Sequence, residues 1–399
     1  MVEAPKHSVL GFSDAHRWVA CPGSVLLSLH YPESDDGGAR SEYGEALHDL
    51  AQRMVVEGQA GRADSPSESE AVGSFINDIE IDPDGFAAAR MYADRCIEVM
   101  REAGVFGADN LYIERKVAAP NVHEAAWGTV DFAVYDVKTH KLDVIDAKFG
   151  WEIVEASRNW QLMGYAESII EEIERRDPNF TRKWLRVDLT VAQPFPWHRD
   201  GRIRTETITG DELTRRAAVM HERAHEAMAA GGVEPRTLVG PQCKHCPARI
   251  GCATHRRAAL SELDRSHGLR REDLPAGEMG AEWRELRRAR ERIDHRLTAL
   301  EETIIGNLQT GKSVPGCAIE VSTGRETWQT DPKTTIGLFE RMGYDVKKPD
   351  EPLTPNQAIK RAGVPRDVVR QFTTTPKRGF KLIEAEKSLA VQAFSKTKG

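Results

Sequence analysis

The sequence predicts an α/β fold in which a mixed β-sheet is flanked by helices. Two observations indicate this class. Apolar residues recur at helical spacing in several long segments. Runs rich in β-branched residues lie between those segments. Helices that precede, interrupt and follow a set of strands are typical of a sheet covered by helices.

Each element follows from its own pattern. Helical spacing, with caps at several starts, predicts helices over residues 13–29, 40–57, 84–103, 159–175, 211–230 and 280–308. Strand-type runs cover residues 111–117, 128–137, 142–149, 184–193 and 202–209. Residues 61–73 read as a loop. Further on, residues 317–328 predict a β-hairpin turning at Thr323-Gly324, and Thr354 caps a short helix.

Length and composition limit the classes of protein. A chain of 399 residues suggests two to three domains of about 150 residues each. We assign residues 1–265 to a core and residues 266–399 to a helical and β-hairpin extension with a basic end. The net charge of −7 argues against a globally basic DNA-coating protein. From Leu353 onward, however, ten Lys or Arg face three Asp or Glu.

The same sequence predicts a cytoplasmic protein without a membrane span. No apolar run approaches the roughly 20 residues that cross a bilayer. The first residues lack a basic segment followed by an apolar one, which is the mark of a secretory signal.

Carboxylates and a lysine cluster at the ends of two predicted strands. Asp131 ends Gly128-Thr-Val-Asp, and Asp146-Ala147-Lys148 ends an apolar run. Asp146 and Lys148 are two positions apart, so both project from one face of a strand. Carboxylates, with the carbonyl of Ala147, are the oxygen ligands that Mg²⁺ and Mn²⁺ prefer. The alternative is an ordinary surface set of ion pairs.

Two further motifs extend this pattern. His48 lies beside the apolar stripe of a helix, in Gly44-Glu-Ala-Leu-His. Gln161 and Tyr165 are four apart, on one face of the helix after the carboxylates. In this order the motifs resemble the RecB-like branch of the PD-(D/E)XK nuclease superfamily. The resemblance implies a restriction-endonuclease-like fold and a DNA substrate.

The resemblance also implies roles for individual residues. His48, Asp131 and Asp146 would bind the metal ion, and Lys148 would be catalytic. The side chains on the following helix, Gln161 and Tyr165, would support the site or contact the DNA backbone. Glu114, in the strand before Asp131, is a weaker candidate for the surroundings of the metal.

The cysteines form a second pattern. Three of them, Cys243, Cys246 and Cys252, form a C-x₂-C-x₅-C run. Cys21 is the natural fourth ligand. Four thiolates suit either zinc or an iron–sulfur cluster. Zinc could instead recruit His245 or His255 and leave Cys21 out. Cys96 and Cys317 read as buried or incidental thiols.

The split between one early and three late cysteines resembles the RecB-like nucleases that carry a [4Fe–4S] cluster, such as AddB and the CRISPR-associated exonucleases. By that resemblance the cluster joins distant parts of the chain, with zinc as the alternative. The order of the whole chain is also similar to a family of phage and prophage proteins. Arg17-Trp-x-x-Cys-Pro-Gly-Ser24 and the segment 315–328 carry that similarity.

Together these features predict a Mg²⁺- or Mn²⁺-dependent DNA exonuclease that processes linear DNA ends in phage recombination. A phage single-strand annealing protein or recombinase is the implied protein partner. The sequence does not decide whether the protein forms an oligomer. The alternatives are a non-catalytic DNA-binding or scaffold protein on a degenerate nuclease core, and a zinc-stapled RNA-processing enzyme.

Overall fold

The computed structural model describes residues 8–31, 39–107, 109–229, 236–264, 276–323, 327–347, 353–374 and 377–384. They form a mixed α/β protein whose five-stranded sheet is flanked by helices, which confirms the predicted class. The chain divides into two compact units, the first ending at His295 and the second beginning at Arg296. The expected domain boundary at residue 265 lies outside the described residues. No described helix is long and apolar enough to cross a membrane.

Most helices of the first unit agree with the periodicity of the sequence. They are α1 (Ala15–Ala20), α2 (Ser24–Ser28), α3 (Ala39–Gln59), α4 (Glu68–Ala71), α5 (Pro83–Ala103), α6 (Trp160–Arg176), α7 (Gly210–Met228), α8 (Ala253–Asp264) and α9 (Ala276–Gln309), which extends beyond His295. The short α4 lies where the sequence predicts a loop. Ser67 and Glu70 form a capping box at its start, so a local side-chain exchange stabilises this turn of helix.

The strands of the first unit are β1 (Phe75–Ile76), β2 (Ile79–Glu80), β3 (Leu111–Ala118), β4 (Trp127–Asp136), β5 (Lys141–Ala147), β6 (Arg186–Ala192) and β7 (Ile203–Thr209). The main sheet has the order β3-β4-β5-β6-β7. Only β5 and β6 in that sheet are parallel, and α6 connects them. The carboxyl ends of β5 and β6 therefore lie side by side, with Asp146 opposite Val191.

Helices cover both faces of the sheet because the side chains of each strand alternate between two cores. Phe132, Val134 and Ile145 pack with α3 and α5. Ala133 and Val144 pack with α6 and α7. The carboxyl end of β5 is thus bordered by α3 on one face and by the start of α6 on the other.

The N-terminal segment packs on α6. Phe12 is fully buried, and its ring meets the ring of Tyr165 edge-on at 5.6 Å between centroids. The ring lies directly against Gly164, where a Cβ would stand 2.6 Å from Phe12 Cγ and 2.8 Å from Cε1. Only a glycine at 164 permits this close approach of Phe12 to the helix.

The second unit contains β8 (Cys317–Thr323), β9 (Thr327–Trp328), α10 (Pro332–Arg341), α11 (Pro355–Ala362), α12 (Arg366–Gln371), β10 (Thr373–Thr374) and β11 (Lys377–Glu384). A small core with Phe339 and Val369 at its centre holds the helices. Thr354 and Gln357 form the predicted cap of α11.

The predicted hairpin over residues 317–328 is wrong. β8 pairs antiparallel with β11 over its whole length, and β9 pairs with β10. The expected turn residue Gly324 lies outside the described residues. A seven-residue strand gains more backbone hydrogen bonds from the eight-residue β11 than from the two residues of β9, so long-range pairing overrides the local turn signal.

Candidate functional site

The motifs that the sequence singles out meet at the carboxyl end of β5. Three side chains offer ligand atoms that all lie within 4.8 Å of one another, namely those of His48, Glu114 and Asp131. They come from α3, β3 and β4. In this set, His48 Nδ1 lies 4.0 Å from Asp131 Oδ2. The structure thus brings a helix-borne histidine to carboxylates of two adjacent strands.

Asp146 and Lys148 border this group and are linked to each other. Lys148 Nζ lies 2.7 Å from Asp146 Oδ2, and Asp146 is almost fully buried. Gln161, at the start of α6, joins the pair, because its Nε2 donates to Asp146 Oδ1 at 2.9 Å and its Oε1 accepts from Lys148 Nζ at 3.1 Å. Gln161 Nε2 also lies 3.0 Å from the hydroxyl of Tyr165.

Asp131 is held by the strand that carries Asp146. Its Oδ2 accepts a hydrogen bond from the backbone N–H of Ala147 at 2.8 Å. The structure therefore shows Ala147 contacting the site through its N–H, and metal ligation by its carbonyl stays a prediction. This bond fixes the carboxylate of Asp131 beside the end of β5.

Glu114 has a larger part in the site than the sequence indicates. It adopts φ 45° within β3, a left-handed conformation that is costly for a residue other than glycine. In the pairing of β3 with β4, the residue pairs on either side of Glu114 are Ile113–Phe132 and Arg115–Val130. The sequence predicts that Glu114 lies in the strand before Asp131. It does not predict which residues of the two strands pair, because the connection over residues 119–126 is irregular.

The electrostatics of the site favour a cation. Burial, and then the charge of Asp146, raises the pKa of Asp131 well above its usual range. Burial, with the charges of Asp49 and Asp146, raises the pKa of Glu114 to about 7. Carboxylates that resist ionisation because they are buried, and because they lie near one another, gain most from a bound positive ion.

The two basic side chains of the site are shifted in opposite directions. Burial lowers the pKa of His48, which leaves its imidazole neutral near pH 7 and able to bind a metal ion. Burial alone would lower the pKa of Lys148 as well, but the charges of Asp146 and Asp131 outweigh it and raise the value. Lys148 therefore stays protonated. Phe149 meets the His48 ring edge-on at 5.0 Å and holds it in place.

The four predicted cysteine ligands line one cavity. Cys21 reaches it from the end of α1, and the other three come from the segment before α8, namely Cys243, Cys246 and Cys252. Backbone N–H groups point at the sulfurs, as Leu238 N donates to Cys21 Sγ at 3.2 Å. Burial raises the pKa of Cys243 to about 11. Near pH 7 such a thiol stays protonated unless a bound cation stabilises its thiolate.

The other candidate zinc ligands and thiols lie differently. His255 lines the cysteine cavity, whereas His245 pairs with Glu152 outside it. Cys96 is fully buried in α5, as predicted, and Cys317 belongs to β8. Among the described residues, the cysteines do not form a group whose ligand atoms all lie within 4.8 Å of one another.

Residues 7–374 match the family described as "Protein of unknown function (DUF2800)". The chain belongs to this family. The match spans the whole main sheet, the carboxylate site and the cysteine cavity of this DUF2800 protein, so both sites lie within the part that defines the family.

Proposed function

We propose that the protein is a metal-dependent deoxyribonuclease of the RecB-like, PD-(D/E)XK type, built on a restriction-endonuclease-like sheet. The observation that carries this proposal is the convergence of carboxylates, an imidazole and a protonated lysine at the carboxyl end of β5. The carboxylates belong to Glu114, Asp131 and Asp146. In this proposal the enzyme acts on linear DNA ends during phage recombination, together with an annealing protein or recombinase.

The donor set fits a hard divalent cation. His48, Glu114, Asp131 and Asp146 would hold Mg²⁺ or Mn²⁺, since oxygen ligands with one imidazole suit these ions, Mn²⁺ in particular. When bound, such an ion lowers the pKa of a water molecule and neutralises charge on the scissile phosphate. The raised pKa values of Asp131 and Glu114, caused by burial and by neighbouring carboxylates, support this fit.

The protein's own groups then have distinct tasks. Lys148 keeps its proton and donates hydrogen bonds toward negative charge that develops on the phosphate oxygens. Asp146 positions the ammonium group through their 2.7 Å contact. Gln161 bridges the two side chains and prevents each from rotating away. Tyr165, bonded to Gln161, supports the amide from the next turn of α6.

Cleavage of end-labelled linear DNA tests the nuclease. We expect degradation in Mg²⁺ or Mn²⁺ that EDTA abolishes. Lys148→Met and Asp146→Asn should each reduce the rate at least about 100-fold, because each removes a group from the reacting centre. Lys141→Met is the matched control, since Lys141 pairs with Asp143 at the opposite end of the same strand.

Three outcomes are decisive. Cleavage retained in both Lys148→Met and Asp146→Asn would refute the assignment of the site. A loss of equal size in Lys141→Met would show that the effect arises from damage to β5. Tight binding of DNA with no cleavage in either metal would support a scaffold on a degenerate core.

We also propose that the cysteine cavity holds a [4Fe–4S] cluster. Neighbouring sulfurs on a tetrahedral zinc ion, with bonds of 2.3 Å, are about 3.8 Å apart. The cysteine sulfurs in the cavity form no group that compact. Four thiolates also suit an iron–sulfur cluster. Its role would be structural, joining α1 to the segment before α8.

Spectroscopy and metal analysis separate the cluster from zinc. A cluster gives a brown protein with a visible absorption band and with iron and sulfide in equal amounts. Cys243→Ser should remove the band, whereas Cys317→Ser, which changes a cysteine outside the cavity, should leave it. A colourless anaerobic preparation that contains stoichiometric zinc would contradict the cluster.

A further inference from the structure

An exposed tryptophan lies beside the candidate metal site. Trp151 follows Lys148 by three residues, so the two Cα atoms are at most about 11 Å apart. The side chain of Trp151 is 63 % exposed, although it is large and apolar. A surface tryptophan so close to the proposed reacting centre requires a physical explanation.

The indole of Trp151 stacks on a neighbouring aromatic ring. Its ring lies on the ring of Phe195, with the centroids 5.3 Å apart and the planes within 18°. The ring of Tyr43, from α3, lies 6.4 Å from that of Phe195. Phe195 supports one face of the indole, while most of the side chain faces solvent.

A fully buried amide fixes the backbone on both sides of Trp151. Gln193 Nε2 donates to the carbonyl of Gly150 at 3.2 Å and to that of Glu152 at 2.7 Å. Gln193 Oε1 accepts from the N–H of Val154 at 3.1 Å. The loop is therefore ordered before any ligand arrives, and little conformational entropy remains to be lost on binding.

The cysteine segment adds a further restraint to this loop. The Glu152 carboxylate lies 2.7 Å from Lys244 Nζ and 3.1 Å from His245 Nε2, two residues between Cys243 and Cys246. The pairs are exposed and individually weak. They nevertheless connect the loop that carries Trp151 to the wall of the cysteine cavity.

We infer that Trp151 is a stacking platform for an unpaired base of the DNA strand whose phosphate occupies the metal site. This inference rests on the proposed nuclease function and specifies its substrate as DNA with a single-stranded end. A base within a duplex already stacks on its neighbours, whereas an unpaired base offers a free face to an aromatic ring. The rigid, supported indole beside Lys148 provides a matching surface.

Binding of short oligonucleotides tests the platform. The probe is a fluorescein-labelled twelve-residue oligothymidylate, measured by anisotropy in EDTA so that cleavage does not interfere. Trp151→Ala should weaken binding about 5- to 150-fold, the range for loss of one stacked base. An oligonucleotide with abasic sugars at its terminal three positions should bind the native protein and Trp151→Ala equally.

Matched variants separate stacking from simple apolar contact. Trp151→Phe should retain most of the affinity, and Trp151→Leu should lose it, because leucine has no aromatic face. Trp184→Ala is the control, since Trp184 is 69 % exposed but precedes β6, at the opposite end of the parallel pair. Its affinity should equal that of the native protein.

The outcomes distinguish this inference from the nuclease proposal. If the native protein degrades DNA but Trp151→Ala binds the oligonucleotide with native affinity, the platform is refuted and the nuclease stands. Equal binding by Trp151→Leu and Trp151→Phe also refutes stacking. If the native protein neither binds nor degrades any DNA, both proposals fail.

Discussion

Substitution of Gly164 by alanine tests how closely the N-terminal segment fits α6. The new methyl group would come closest to Cδ1 of Phe12 and lie 2.6 Å and 2.8 Å from two more ring carbons. The obstacle is a fully buried aromatic ring rather than the end of a flexible chain. The ring has little room to retreat, because it also packs against Gly128 and Tyr165.

The expected magnitude follows from two opposing effects. Alanine is favoured over glycine in a helix by up to about 1 kcal/mol. Forcing an extra methyl group into a packed core costs about 1–3 kcal/mol. Because the predicted contact is well inside van der Waals distance, we expect Gly164→Ala to lower the free energy of unfolding by about 1–2 kcal/mol.

Gly44 in α3 is the matched control, because a Cβ there would meet nothing within 4 Å. Gly44→Ala should raise stability by up to about 1 kcal/mol. Urea unfolding of both variants, followed by far-UV circular dichroism, gives the comparison. Phe12→Leu should recover part of the loss in a Gly164→Ala background. Equal stabilisation by both glycine substitutions would refute the proposed fit. So would a double variant, Phe12→Leu with Gly164→Ala, whose change in stability is the exact sum of the two single changes.

Three more predictions concern buried charges. Glu114→Gln should weaken Mn²⁺ binding about 10- to 100-fold by calorimetry, and unchanged affinity would remove Glu114 from the metal site. Burial raises the pKa of Glu171 to about 7, so native stability should fall by up to about 3 kcal/mol as pH rises from 4.5 through 7. Glu171→Gln should abolish that fall, and a pH profile identical to that of the native protein would contradict it. Arg182 pairs with Glu167, which is 3 % exposed, at 2.8 Å. Arg182→Ala should cost roughly 3 kcal/mol in urea unfolding, and a loss below the experimental error would show that the pair is not stabilising.

Local signals in the sequence predict the helices of the first unit well. Asn159 caps α6 by accepting hydrogen bonds from the N–H groups of Gln161 and Leu162, within one residue of the expected start. Asp82 caps the start of α5 with its side chain, and the left-handed Gly104 terminates the helix. Caps of this kind involve neighbours in sequence, so they can be recognised without the rest of the fold.

Features that depend on distant pairing could not be predicted in the same way. The partner of β8 is β11, about sixty residues away, and no local pattern identifies it. The left-handed backbone of Glu114 is equally hidden, because it is maintained by the surrounding sheet rather than by its own sequence. The order of His48, Asp131 and Asp146 indicates a shared site, with Glu114 only as a weaker candidate beside it.

The chain positions of the site residues bear on metal choice. Glu114, Asp131, Asp146 and Lys148 lie in one continuous stretch of strands, whereas His48 comes from α3, more than sixty residues earlier. Oxygen ligands alone suit Mg²⁺, and an imidazole shifts preference toward transition metals such as Mn²⁺. In the proposed site, the packing of α3 on the sheet would therefore decide whether the His48 imidazole joins the ligands and which metal ion is preferred.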